Sequence, residues 1–175
     1  AANTVVQTGY SLVDGGSPVA PVAGGITHAT QFYLDAATNA NTNDVISANW
    51  AVGDGTATSG LGAAVSESSG IFTFPATGFW LIHAQFYLIP ISDGSCNVFL
   101  DVTVNNADYI DRSYASSGES SGQSNGMANM AHLLDVTDVA NVKVRFTTGS
   151  FTNCYIYGQS DAAASGVTFV RIGDT

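Results

Sequence analysis

Basic charge is almost missing from this chain. Lysine occurs once, at Lys143, and arginine three times, at Arg112, Arg145 and Arg171, against 14 acidic residues and a net charge of −10. A protein that grips a phosphate backbone needs a basic face, so nucleic acid is excluded as a partner. The balance describes a soluble acidic surface. Charge of either sign is scarce at 10% of residues, where globular domains carry about 25%. The surface must therefore be built from Ser, Thr, Asn, Gln and Gly. Those residues, with 19 glycines, suit strands and turns, and no Ala/Leu/Glu/Lys run exists to form a solvated helix.

Other scarcities narrow the reading. The two cysteines, Cys96 and Cys154, sit in neither a CxxC nor a cluster with His, which argues against a zinc site. They are either a disulfide or two small buried hydrophobes. No apolar run approaches ~18 residues, so no membrane span is expected, and no stretch reads as a secretory leader. The chain opens on Ala1 rather than Met, which fits trimming or a longer parent chain. No Asn-x-Ser/Thr sequon occurs.

Catalytic patterns are also wanting. There is no G-x-S-x-G elbow. The only glutamates, Glu67 and Glu119, lie in Gly/Ser-rich segments, and nothing singles out two aspartates as a hydrolytic pair. "GLGAAV" mimics a dinucleotide-binding turn but has no helix to open. Of the histidines His28, His83 and His132, the last two fall within apolar stretches. There an interior or interface histidine is expected rather than a catalytic one. Asp101, Asp108 and Asp111 lie near one another, with Asp135 and Asp138 later. Oxygen-rich clusters can hold calcium, with Asp108, Asp111 and Asp138 as weak candidates. No EF-hand spacing is present, and isolated surface aspartates remain the simpler reading. The expectation is a non-enzyme with no cofactor.

What is present is alternation. "VFLDVTVN" sets Val98, Leu100, Val102 and Val104 against Asp101, Thr103 and Asn105, the period of a half-buried strand. "NVKVRF" repeats it with Val142, Val144 and Phe146. "ATQFYLD", "NCYIYG" and "VTFVRI", with Phe169, read as further strands. "GMANMAHLLDV" is the nearest thing to a helix and is still best read as a strand. Gly/Ser-rich spacers, among them 53–69 and 113–126, read as outward loops. Residues 1–26 hold two prolines and five glycines and read as an extended arm with a short strand at Thr4 to Gln7. Residues 27–175 then form one domain. The fold class is all-β: an antiparallel two-sheet sandwich of about eight to ten strands.

The most apolar stretch is "GIFTFPATGFWLIHAQFYLIP", residues 70–90. Trp80, Ile82, Ala84, Phe86 and Leu88 form one apolar face, which should enter the core with Phe72 and Phe74. The opposite positions are Phe79, Leu81, His83, Gln85 and Tyr87. A solvent face does not normally gather Phe, Leu and Tyr. A second copy of the chain is the simplest cover; the N-terminal arm is the alternative.

The same stretch resembles the signature of the complement component one-q globular heads and the tumour necrosis factor superfamily. The pattern Gly-x-Phe-x-x-Pro-x-x-Gly-aromatic-aromatic is met by Gly70, Phe72, Pro75, Gly78, Phe79 and Trp80. "NDVISANW", "VFLDVTVNNADY" with Asn105-Asn106, "AHLLDVTDVANVKVRF" with Leu134, Asp138 and Val139, and "GVTFVRIG" with Thr168 and Phe169 follow in the family's order. The resemblance implies a ten-stranded jelly roll that assembles as a homotrimer about apolar inner surfaces. Its loops would display ligand-binding surface. Some members bind calcium at the trimer apex. Similar knobs occur on bacteriophage fibres, tail needles and capsids, and an acidic, lysine-poor, Ser/Asn/Gly-rich chain fits that style. The expectation is a trimeric virion structural protein, a capsid decoration or a fibre knob. It would be anchored to a larger assembly through its arm, with host glycan as a possible ligand. The alternative is a secreted, glycan-binding lectin-like module. Phe79, Leu81, His83, Tyr87, Tyr155 and Tyr157 are the expected subunit contacts.

Overall fold

Alternating sequence becomes twelve strands in the computed structural model, which describes residues 25–39, 41–53, 60–90, 94–119, 125–149 and 154–175. In chain order they are β1 (His28–Leu34), β2 (Ala36–Asn39), β3 (Trp50–Val52), β4 (Ser66–Ser68), β5 (Ile71–Thr73) and β6 (Gly78–Pro90). These are followed by β7 (Gly94–Thr103), β8 (Ile110–Glu119), β9 (Gly126–Val136), β10 (Lys143–Gly149), β11 (Cys154–Gln159) and β12 (Gly166–Gly173). Most of the arm expected at the N-terminus, with its short strand at Thr4 to Gln7, lies outside the described residues.

Two antiparallel sheets face each other. One runs β4-β5-β10-β7-β8. The other runs β2-β11-β6-β12-β1-β3, with β9 on the remaining edge of β6. The chain crosses between sheets after β3, β5, β6, β8, β9 and β10, the back-and-forth of a jelly roll. The strands beyond the expected eight to ten are short pieces such as β2 and β3 at the sheet margins.

Between the sheets lies an aromatic core. Phe72, Phe74, Trp80, Ile82, Phe86, Val98, Leu100, Val102, Val144 and Phe169, the positions that alternation and motif assign to the interior, are all buried. Rings interlock across the layers: Phe72 packs at 5.2 Å from Phe32 and at 5.2 Å from Trp50, both edge-on. The two indoles keep partners for their N–H groups. Trp50 Nε1 donates to the Ile46 carbonyl at 2.7 Å and Trp80 Nε1 to Ala76 at 3.1 Å, so neither buries an unpaired donor. Cys96 on β7 and Cys154 on β11 form a disulfide between the two sheets, closing a sequence separation of 58.

The two glycines of the family-like motif have a backbone reason. Gly70 and Gly78 hold φ of 81° and 130°. A β-carbon at Gly78 would strike the Gly173 carbonyl and the Arg171 guanidinium, so this corner admits no side chain.

Three expectations need correction. Residues 113–119 are not loop but the body of β8, paired with β7 from Gly94↔Glu119 to Val102↔Ile110. Serine-rich composition reads as loop, but an edge strand with one solvated face is just as serine-tolerant. Residues 66–68 likewise form β4 rather than loop, while 54–59 and 120–124 lie outside the described residues. Val104 lies beyond the end of β7 and is exposed, and Asp101 and Thr103, assigned to a solvated face, are both buried.

Reducing the Cys96–Cys154 bond is expected to cost about 2–4 kcal/mol, measured by chemical denaturation with and without reductant. Gly78→Ala is expected to cost about 1–3 kcal/mol by the same assay.

Candidate assembly surface

The outward face of the β6 sheet is apolar across several neighbouring strands. On β6, even residues from Gly78 to Pro90 are buried; odd residues are exposed or half-buried. Registry then collects their neighbours. Leu81 stands between Leu133 of β9 and Val170 of β12. Tyr87 stands between Met127 of β9 and Tyr157 of β11, and the Tyr87 and Tyr157 rings meet edge-on at 5.5 Å. Exposure is large for apolar side chains: Phe79 37%, Leu81 40%, Tyr155 38%, Met127 47% and Leu133 57%. A contiguous patch of this kind is a candidate association surface.

The centre of the patch is polar. His83 lies opposite Ala131 and Thr168, and with Gln31, Gln85 and Thr168 it lines a cavity of about 100 Å³. Gln85 is already held, donating through Nε2 to the Ala163 carbonyl at 3.0 Å. The surface therefore has an apolar rim around a small hydrogen-bonding centre.

The six sequence-derived contact residues, Phe79, Leu81, His83, Tyr87, Tyr155 and Tyr157, belong to this one sheet and share its outward side. Met127, Leu133 and Val170 were missed. Their signal was present: in "GMANMAHLLDV" the odd residues are Met127, Asn129, Ala131, Leu133 and Asp135, and pairing with β6 puts them on the outward side.

The other candidate groups have partners of their own. Asp138 accepts from the Ala140 amide at 2.8 Å and Asn141 Nδ2 at 2.7 Å, and these donors hold its carboxyl below the usual aspartate range. Asp108 accepts from Asn105 Nδ2 at 2.8 Å within the turn after β7. Asp111 faces Asp101 across the β7–β8 pair. Among the described residues no three His, Cys, Asp or Glu side chains converge as metal ligands. His132 lies on the inner side of β9 near Ser113, Nδ1 to Oγ 3.5 Å. Burial, with a smaller push from Arg112, lowers its pKa. Among the described residues, no helix is long and apolar enough to cross a membrane.

No protein-family model matches the chain, and no curated relative matches it by sequence. Solved structures do. Eiger TNF from S. frugiperda superposes with a TM-score of 0.67 over 84% of this chain and 93% of its own, at 14% identity. Murine APRIL, crystallised at pH 8.0, does so with a TM-score of 0.61 over 82% and 98%, at 10% identity. The fold is thus the tumour necrosis factor-like jelly roll, as the order of motifs implied.

Introducing charge at the centre of the apolar rim should not disturb the core, because Leu81 and Leu133 point away from it. Leu81→Asp with Leu133→Asp is expected to preserve the near-ultraviolet circular dichroism of the aromatic core.

Proposed function

We propose that the chain is a non-enzymatic structural module that works as a homotrimer, displayed on the surface of a virion as a capsid decoration or fibre knob. The observation that carries the reading is the apolar outward face of the β6 sheet, where Leu81 stands between Leu133 and Val170. Each side chain removed from water there contributes up to roughly 1.5–3 kcal/mol. A rotation that brings this face against a neighbour closes into a ring and leaves no open apolar edge. The likeness to Eiger TNF and APRIL supports a ligand-type module of this fold rather than a catalyst. The composition of residues 1–26 supports an anchor to a larger assembly. The acidic, lysine-poor surface suits exposure at the outside of a particle, with host glycan as a ligand of the displayed loops.

A secreted glycan-binding module of the same fold remains the second reading, favoured by the disulfide, which belongs to oxidising surroundings. The two readings separate on attachment. A decoration protein binds its particle and loses that binding when residues 1–26 are removed; a secreted lectin binds glycan as a free assembly.

Light scattering on the purified chain should give three times the 18.0 kDa monomer mass. Leu81→Asp with Leu133→Asp should give the monomer mass with an unchanged β-rich circular dichroism spectrum. A wild-type monomer would overturn the assembly reading.

A further inference from the structure

On the outward face of the five-stranded sheet lies a carboxyl group with one oxygen unpartnered. Asp101 is 2% exposed. Its Oδ2 accepts from Arg145 Nε at 3.0 Å and from Thr147 Oγ1 at 3.1 Å. Its Oδ1 is shut off from solvent, and no donor reaches it. Arg145 is fixed from its other side, with its guanidinium carbon 4.1 Å from the centre of the Tyr109 ring. Across the strand pair Asp101 stands opposite Asp111, at the point where the β7–β8 register slips between Leu100 and Asp101. Directly paired residues on neighbouring strands hold their β-carbons about 4.5–5.5 Å apart, so the two carboxyl groups are cross-strand neighbours.

Two ionised carboxylates in this arrangement would leave a buried, unpaired oxygen beside a like charge, which is costly. A hydrated cation does not fit an oxygen closed to solvent. A proton does. We propose that Asp101 and Asp111 share one proton and form an acid-set clasp on the edge strand β8. Oδ1–H of Asp101 donates to an Asp111 oxygen, and with Arg145 the group is electrically neutral. When the proton leaves to solvent, two carboxylates face one guanidinium across the slipped register, and the hold on β8 weakens.

The surrounding charges are few. β10 contributes Arg145 and, further along the same face, Lys143. β8 contributes Asp111, with Arg112 next in the chain. The connection from β7 to β8 contributes Tyr109, and Asp108, already bonded to Asn105. On β7 itself the outward neighbours, Phe99 and Thr103, carry no charge. Burial is the main cause raising the Asp101 carboxyl, with Asp111 adding to it and Arg145 and Thr147 opposing. The folded protein therefore keeps a proton that the unfolded chain releases. Stability from this source is full below the ordinary aspartate value of 3.8 and is lost as pH rises through the raised folded value. His132 acts in the opposite sense, losing stability as pH falls below its ordinary 6.5. A comparison of variants that share His132 cancels it.

The test compares thermal midpoints of wild type and Asp111→Asn at fixed protein concentration from acid to neutral pH. The asparagine Nδ2–H donates to Asp101 Oδ1 without titrating. The variant should gain on wild type as pH rises and be the more stable at neutrality, by tenfold in the folding equilibrium for each unit by which the substitution lowers the Asp101 pKa. Parallel curves, or a less stable variant at neutrality, would overturn the clasp. A carbon-13 carboxyl titration of the wild-type chain decides independently of any substitution. Asp101 should stay protonated above the ordinary aspartate range; ionisation within that range would sink the proposal.

Discussion

Strand β6 is hydrogen-bonded along both edges, and that constraint organises the rest of the molecule. β9 runs the length of one edge from Gly78 to Leu88, while β12 and then β11 share the other. With both edges spent, the strand's only free surfaces are its two faces, and registry with three partners forbids a slip that would exchange them. One face, from Trp80 to Leu88, meets the opposing sheet and supplies the centre of the core. The other carries Phe79, Leu81 and Tyr87 outward, and the flanking strands extend it rather than cover it. The same thirteen-residue strand thus fixes the interior and presents the apolar outward face. Rigidity follows, because neither face can adjust without moving strands that both faces depend on.

The interior was legible because period-two alternation leaves few choices once a strand is recognised. Phe72, Trp80 and Leu100 could be placed from sequence alone, and the motif glycines add backbone positions that no larger residue tolerates. The outward surface was half legible. Leu81 and Tyr87 stood out inside an aromatic stretch, whereas Leu133 and Met127 sit in a segment of weak signal and become part of the patch only through pairing with β6. Strand β8 was illegible for a compositional reason: serine and glycine serve an exposed edge strand and a loop equally well. Asp101 was misread because alternation reports which face a residue occupies, not whether that face is covered. Arg145, distant in sequence, reaches it and is itself held against the Tyr109 ring. The pairing of Cys96 with Cys154 depends on two sheets meeting, which spacing does not encode.

Scarce charge acquires meaning from where the few ions stand. Arg145 is committed to Asp101 and Tyr109. Arg171 donates to the Thr77 carbonyl at 2.7 Å, to Thr27 Oγ1 at 3.2 Å, and to Asp174, tying together both ends of the described chain and the turn before β6. These two cations act as internal fasteners. They do not form a field that would draw in a polyanion. The surface left over is acidic and hydrogen-bonding.

His28 pairs with Arg171 in adjacent strands, so the domain is entered and left at the same pole, beside Gly78. The inter-sheet disulfide sits at the other pole, where Cys154 lies opposite Pro90. The molecule is therefore mechanically lopsided. A pull applied between its two termini peels β1 from β12 one hydrogen bond at a time, the weak mode. A pull between the terminal pole and the cross-linked pole loads those bonds together and along the strand, the strong mode. How firmly such a module holds depends on the pole at which the load is applied.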